Sequence, residues 1–335
     1  MQSLPILILV FVISGIIIWY CSNKLSDVVD YIDDTFKLGA AFGGTIMLSI
    51  ATNLPELSIV VQGVLQKDTS LAIGNILGGI AMQTLLLSLF DFSARKNDSK
   101  PFSALVNPIV SIMQGLFLIA ILAIVIMGTQ FSKNKISTNL PIAEIFIGIF
   151  WLSSLYLLHK SNQNIKEDNS EANNIALSNY TKSKALIMLF VLGTAIFVFG
   201  YLLGYTSDKL ADKFHIDGVI FGATILAFVT SLPEISGGLA FVKQRNYQSI
   251  VSDIFGGNTF LPVLFLIASI INHSTLLPSA DHSNIYLTAL SIILTSIYMI
   301  GMALKSDKRY YGMGIDSWLA ILVYIIGIAG MIFVA

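Results

Sequence analysis

Two short stretches of this sequence share a combination that is costly inside an apolar segment. They are Ala51-Thr52-Asn53-Leu54-Pro55-Glu56 and Val229-Thr230-Ser231-Leu232-Pro233-Glu234. Each sets a carboxylate and a helix-breaking proline where about 20 apolar residues would span a bilayer. An ionisable residue at that depth is by default a functional one. Pro55 and Pro233 have no N–H, so the carbonyls of Ala51 and Val229 lose their helical donor and can turn toward an ion. Thr52 and Glu56 are spaced i, i+4 and share a helix face, as do Thr230 and Glu234. Each copy therefore offers a carboxylate, a hydroxyl and a freed carbonyl. Hard cations such as calcium take oxygen ligands of this kind. The absence of His and Cys from both stretches argues against zinc or copper.

A second motif follows 19 residues after each glutamate, opening with Asn75 in the first copy and Asp253 in the second. Asn75, Gly79, Met82 and Gln83 share a helix face, and so do Asp253, Gly257, Phe260 and Leu261. The pairs Gly78-Gly79 and Gly256-Gly257 let backbones approach closely, a role that helix packing alone would also explain. An interhelical hydrogen bond is the competing reading of Asn75. It is weaker for Asp253, because a neutral Asn would bond as well without the charge. Glu56, Glu234 and Asp253 are the acids that fall well inside apolar runs; Asp91 and Glu144 are expected near span ends, within reach of water. Three carboxylates in a low-dielectric interior cannot all stay charged uncompensated. A bound cation compensates them, and so does a proton.

The elements that must position these groups are membrane helices. Of 335 residues 55% are hydrophobic and 12% charged, and mean hydropathy is +0.79, whereas soluble domains carry about 25% charged residues. Apolar runs fall at about 4–21, 39–64, 71–90, 105–128, 141–158, 185–204, 218–242, 248–271, 285–304 and 317–334, which gives an all-α membrane protein of about ten transmembrane helices. The first run lacks a basic leader and a small-residue cleavage site, so it reads as a retained helix. With the N-terminus outside, 14 of the 19 basic residues fall in inside loops, which places both termini outside the cell membrane. The net charge of −1 gives no reason to expect nucleic acid. The single cysteine, Cys21, excludes an internal disulfide and a cysteine metal cluster.

An offset of 178 residues aligns the two halves without a gap: Gly44 on Gly222, Thr52 on Thr230, Pro55-Glu56 on Pro233-Glu234, Ser58 on Ser236, Asn75 on Asp253 and Gly78-Gly79 on Gly256-Gly257. The copies lie an odd number of crossings apart, so the halves run in opposite directions. The reading is a five-helix half at 1–158 with its repeat at 39–90, a cytoplasmic linker at 159–184, and a second half at 185–335 with its repeat at 217–271. Inverted repeats with interrupted helices at matching positions mark secondary transporters, whose site lies near the midplane.

These residues resemble the sodium/calcium exchanger (cation/calcium exchanger) superfamily, whose inverted repeats carry a signature like G-T-S-L-P-E followed by G-N-x-x-G-S-N. The resemblance implies antiport by alternating access, with calcium exchanged for sodium or protons and no resident cofactor. It assigns ion coordination to Glu56 and Glu234, assisted by Thr52, Thr230 and Ser231, with Asn53 at a position usually held by serine. Gly79 and Gly257 stand where the family often supplies a serine hydroxyl to sodium, and Gln83 and Leu261 where many members carry a polar or acidic ligand. Asp253 replaces an asparagine. A channel, and a non-transporting sensor built on the same fold, are the alternatives; an enzyme is not expected, since no nucleophile or metal set accompanies the glutamates. The sequence leaves the oligomeric state open.

Overall fold

The computed structural model describes residues 3–36, 43–131, 141–163, 181–277 and 282–334. The described residues form helices and connecting loops, with a lone bridge between Tyr310 and Met313. Most of the expected linker, 164–180, lies outside them.

The duplication is visible element by element. Helix α1 (Leu4–Phe36) and α8 (Lys182–Phe214) are each 33 residues long and start and stop 178 positions apart. At about 1.5 Å per residue each is about 50 Å long, well beyond the roughly 30 Å of bilayer hydrocarbon. They pack antiparallel: Val28 and Ile32, late in α1, cluster with Ala185 at the start of α8. Ile6, Leu9, Ile16, Ile187, Phe190 and Val191 on this pair are exposed, as a lipid-facing surface requires.

The second crossing of each half is broken at the same place. In the first half α2 (Gly43–Thr52) stops at Asn53 and α3 (Leu54–Gln66) begins. In the second, α9 (Gly218–Phe221), a π-helical turn (Gly222–Leu226) and α10 (Ala227–Thr230) stop at Ser231, and α11 (Leu232–Gln244) begins. Pro55 and Pro233 occupy the first turn of α3 and α11, where a missing N–H leaves no helical bond unmade. Both helices end on a left-handed residue, Lys67 at φ 58° and Arg245 at φ 57°.

The third crossings differ. Helix α4 (Ser70–Ala94) is continuous over 25 residues. The run expected at 248–271 is one span, Tyr247–Asn272, interrupted between two helices, α12 (Tyr247–Phe260) and α13 (Val263–Asn272). The reason is Pro262, which cannot donate to the helix ladder; its equivalent in α4 is Thr84, which leaves that ladder intact. Helices α5 (Phe102–Leu105), α6 (Pro108–Thr129), α7 (Ile142–Gln163), α14 (His282–Leu304) and α15 (Ile315–Met331) complete the chain. Six of the described helices are individually long and apolar enough to span a membrane, α12 with α13 (Tyr247–Asn272) makes a seventh span, and the pair hinged at Ser231, bent by 45°, is an eighth crossing. The two shorter crossings are α2 with α3, and α15.

Asp91 and Glu144 do not reach water: each is 1% exposed. Asp91 accepts from Phe102 N–H at 2.9 Å, Gly314 N–H at 2.7 Å and Ser317 Oγ at 2.9 Å, and pairs with Arg309 at 2.9 Å. Glu144 accepts from Ser269 Oγ at 3.2 Å and from the N–H groups of Leu276 and Leu277 at 3.1 and 3.2 Å. Ser269 lies 178 positions after Asp91, so each carboxylate ties down the loop at the end of a repeat's third crossing. Removing one member of a buried pair costs about 3–5 kcal/mol, because the other charge stays behind. Asp91→Ala is therefore expected to lower the thermal unfolding midpoint in detergent far more than Lys100→Ala, whose pair with Asp307 is exposed on both sides.

Candidate functional site

Glu56 and Glu234 lie in the first turns of α3 and α11. A helix N-terminus carries partial positive charge and favours a carboxylate there. The C-termini of α2 and α10 end at these breaks and carry partial negative charge suited to a cation. Each broken crossing thus pairs a carboxylate with a carbonyl-bearing helix end.

Contacts across the repeats are specific. Thr230 Oγ1 lies 3.4 Å from Asn75 Oδ1 and 3.3 Å from its own helix's Ala227 carbonyl. It is also within hydrogen-bonding reach of the Glu56 carboxyl. One hydroxyl proton thus faces three acceptors, an arrangement rich in negative charge. Glu56 is 2% exposed, Asn75 1% and Thr230 2%. Even so, Glu56 Oε2 and Asn75 Nδ2 have no hydrogen-bond partner. Glu234 lies within electrostatic reach of both Glu56 and Asp253, and its Oε2 is likewise buried and unpartnered. Unpaired buried acceptors cost about 1–3 kcal/mol each, more when charged, so this region is built for something that supplies positive charge.

The other expected residues divide into two groups. Thr52 Oγ1 lies 3.4 Å from the Ser49 carbonyl and accepts from Asn53 at 3.3 Å. Ser231 Oγ donates to the Ala227 carbonyl at 2.7 Å and is fully buried. Asn53 is different: its amide N–H also goes to the Ser49 carbonyl, at 2.8 Å, and so closes the last turn of α2. The local role of Asn53 is to hold the break. Ala51 is buried, whereas Val229 packs beside Gly15 of α1. Among the described residues no three His, Cys, Asp or Glu side chains converge as a metal site, so hydroxyl, amide and carbonyl oxygens must complete any cation shell.

The glycine pairs are not equivalent. A Cβ on Gly78 would lie 2.2 Å from Ala223 Cα in the π-helical turn, and one on Gly74 would lie 2.4 Å from the Val219 carbonyl oxygen. A Cβ on Gly256 or Gly257 would meet nothing described within 4 Å. Ser249, Ser252, Asp253, Gly256 and Gly257 form a partly exposed strip along α12, and Glu234 and Gly237 are partly exposed beside it. The matching residues of α4, from Leu71 onward, are buried. At Gly79 the nearest group is the Leu261 side chain, 3.8 Å from a built Cβ, and Leu261 is fully buried.

Two sets of contacts escaped the sequence reading, although both residues that make them stand in the repeat motifs. Ser236, one turn beyond Pro233, donates to Asn23 Oδ1 at 2.7 Å and accepts from Trp19 Nε1 at 3.1 Å, which ties α11 to α1. Asn258 crosses from α12 to α4. Ser236 carries a signal in sequence, since it falls on Ser58 of the first repeat. Asn23 and Trp19 carry none.

An inverted pair of helical repeats, broken at matching mid-span positions around buried carboxylates, defines a secondary transporter of cations. The chain belongs to the sodium/calcium exchanger protein family, which it matches over residues 6–159 and 174–333. It is 23% identical over 262 residues to the inner membrane protein YrbG of Escherichia coli (strain K12), covering 76% of each chain. Its fold is similar to that of the H+/Ca2+ exchanger CAX, with TM-score 0.68 and 13% identity, covering 98% of this chain and 87% of the other. It is also similar to the sodium-calcium exchanger NCX_Mj, with TM-score 0.61 and 20% identity, covering 98% and 99%.

The glycine environments separate two outcomes. Gly78→Ala is expected to disrupt the contact of α4 with the π-helical turn and to lower the thermal midpoint sharply, while Gly257→Ala is expected to leave it at the parent value or raise it by the equivalent of up to about 1 kcal/mol, the helix-propensity gain of Ala over Gly. Paired melting curves of the two purified variants would check this.

Proposed function

We propose that the chain exchanges a divalent cation of the calcium class for protons, using Glu56 and Glu234 as the shared carboxylates and Asp253 as a further acid that takes up protons. The observation that carries the choice of counter-ion is the contact of Leu261 with Gly79. Where the family resemblance calls for a serine hydroxyl and a polar ligand, this chain has a glycine covered by a buried hydrocarbon side chain. Sodium ligands are subtracted, and an acid, Asp253, is added. A carboxylate that loses its cation inside a low-dielectric site is neutralised most simply by a proton.

In this reading the cation replaces the missing partners of Glu56 Oε2 and Glu234 Oε2. Thr52, Thr230 and Ser231 turn lone pairs toward it, and the Ala51 and Val229 carbonyls complete the oxygen shell. Rotation of the Asn75 amide would bring its oxygen to the ion while its NH2 donates to Thr230. The open strip along α12 is the access route in the present state, and the contact of α4 with Val219 and Ala223 is the closed gate. With both termini outside the cytoplasmic membrane, the open side faces the cytoplasm.

Calcium-45 uptake into proteoliposomes tests the proposal. An imposed proton gradient is expected to drive uptake, and a sodium gradient alone is not; uptake on sodium alone would reverse the assignment. Glu56→Gln and Glu234→Gln are each expected to cut exchange by about 10-fold to 100-fold or more, the equivalent of roughly 1.5–3 kcal/mol for a lost charge-assisted contact, with the protein still monodisperse in detergent. Because protons and cation compete for the same carboxylates, apparent cation affinity should fall as pH falls. Asp253→Asn should flatten that dependence when uptake is titrated against pH.

A further inference from the structure

We propose that Asn258 is a positioning residue that holds the two repeats in register at their symmetry axis. Its amide NH2 lies 3.4 Å from the carbonyl of Ile80, and Ile80 is the residue 178 positions before it. Under the duplication, therefore, Asn258 touches its own counterpart. Two equivalent residues can meet only on the axis that relates them, so Asn258 and Ile80 mark where the pseudo-twofold axis passes between α4 and α12. Both are fully buried.

The orientation of the amide follows from its neighbours. Thr84 Oγ1 donates its only proton to the Ile80 carbonyl at 2.7 Å. The hydroxyl can then only accept from Asn258, at 3.3 Å. Both atoms facing the amide are acceptors, so NH2 must point at them, and Oδ1 points away. That Oδ1 is buried and has no partner. A half-satisfied amide in a dry interior is less stable than a well-packed apolar side chain of the same size. Ile80 shows that the equivalent position accepts such a side chain. A buried polar group kept at a cost in stability is best known for fixing the register of two helices against alternatives. Here the alternatives are slipped positions of α12 on α4. A slip would misplace Asp253 and Glu234 relative to Asn75 and Glu56.

Asn258→Leu is expected to unfold at or above the midpoint of the parent. Its maximal exchange rate should fall by about 3-fold to 30-fold, the range typical of coupling residues, while its apparent cation affinity stays within about 2-fold. Thr84→Val removes the acceptor without changing shape and should move the rate in the same direction. The double variant Asn258→Leu/Ile80→Asn carries the amide to the other side of the axis, where it faces the carbonyl of residue 258 but meets Pro262 in place of Thr84. It should return the midpoint toward the parent and recover most of the lost rate. A parental exchange rate in Asn258→Leu, a midpoint that falls, or a double variant with no recovery would each overturn the proposal. The rate readout rests on the exchange reading. If the parent chain moves no cation, that reading fails by itself, and the two midpoints, which need no transport, still decide whether the amide is a register device.

Discussion

A carboxylate held at the middle of a bilayer must be neutralised at every moment, and the rest of this structure follows from that requirement. Compensation by a fixed lysine or arginine would make the site permanent and useless for transport. The structure compensates partially instead: helix N-termini lie behind Glu56 and Glu234, the Thr230 hydroxyl lies between Glu56 and Asn75, and an oxygen of each glutamate is left unpaired. The deficit is the binding energy available to a mobile cation or proton. The fixed ion pair is kept elsewhere. Arg309 is spent on Asp91, in the loop scaffold, where permanence is useful.

The helix breaks serve the same end. An unbroken α-helix buries its carbonyls in its own hydrogen bonds and offers an ion nothing from its backbone. Proline in the first turn of α3 and α11 ends that self-sufficiency at one residue while the lower half-helix stays intact. Asn53 shows how the break is held still: its side chain bonds back to Ser49, so the chain turns without losing definition. In the second copy the same turn rests on Ser231 and the Ala227 carbonyl, next to a π-helical turn. One extra residue per turn changes which face α10 presents below it. The two halves thus reach similar breaks by different local chemistry.

Much of this was legible in the sequence because duplication amplifies weak signals. A lone Pro-Glu inside an apolar run is ambiguous, but two copies with matching Thr and Gly at one offset are not. The crossing helices were legible from hydropathy, and the inversion from the odd number of crossings between copies. The break at Pro262 was missed because that proline has no counterpart in the first copy, so the repeat gave no warning. Asp91 and Glu144 looked solvent-accessible because their sequence positions lie near span ends; only the folded loops, which bring Gly314 N–H and Leu276 N–H back over them, bury them. The alignment of Asn258 with Ile80 reads as a loss of similarity, although the two residues touch. Sequence can place equivalent residues in register, but it cannot say which of them meet on the axis.

The departures from perfect twofold symmetry bear most directly on how such a site works. If both repeats were packed alike, Gly78 and Gly256 would have the same surroundings, and the site would be open to both sides of the membrane or to neither. Instead Gly78 presses on Ala223 from a buried face of α4, while Gly256 lies on the partly exposed strip of α12. Because the halves are inverted copies, the closed packing of one is a template for the other. A second state needs no new contacts beyond those the sequence already encodes twice. The free-energy difference between the states then reduces to the positions where the copies differ, among them Asn75 against Asp253, Thr84 against Pro262 and Ile80 against Asn258. Each of these changes charge, helix continuity or hydrogen bonding between the two helices that cross at the axis. A transporter made from a duplication sets its direction and its counter-ion through such differences, because whatever the two halves share cancels between the two states.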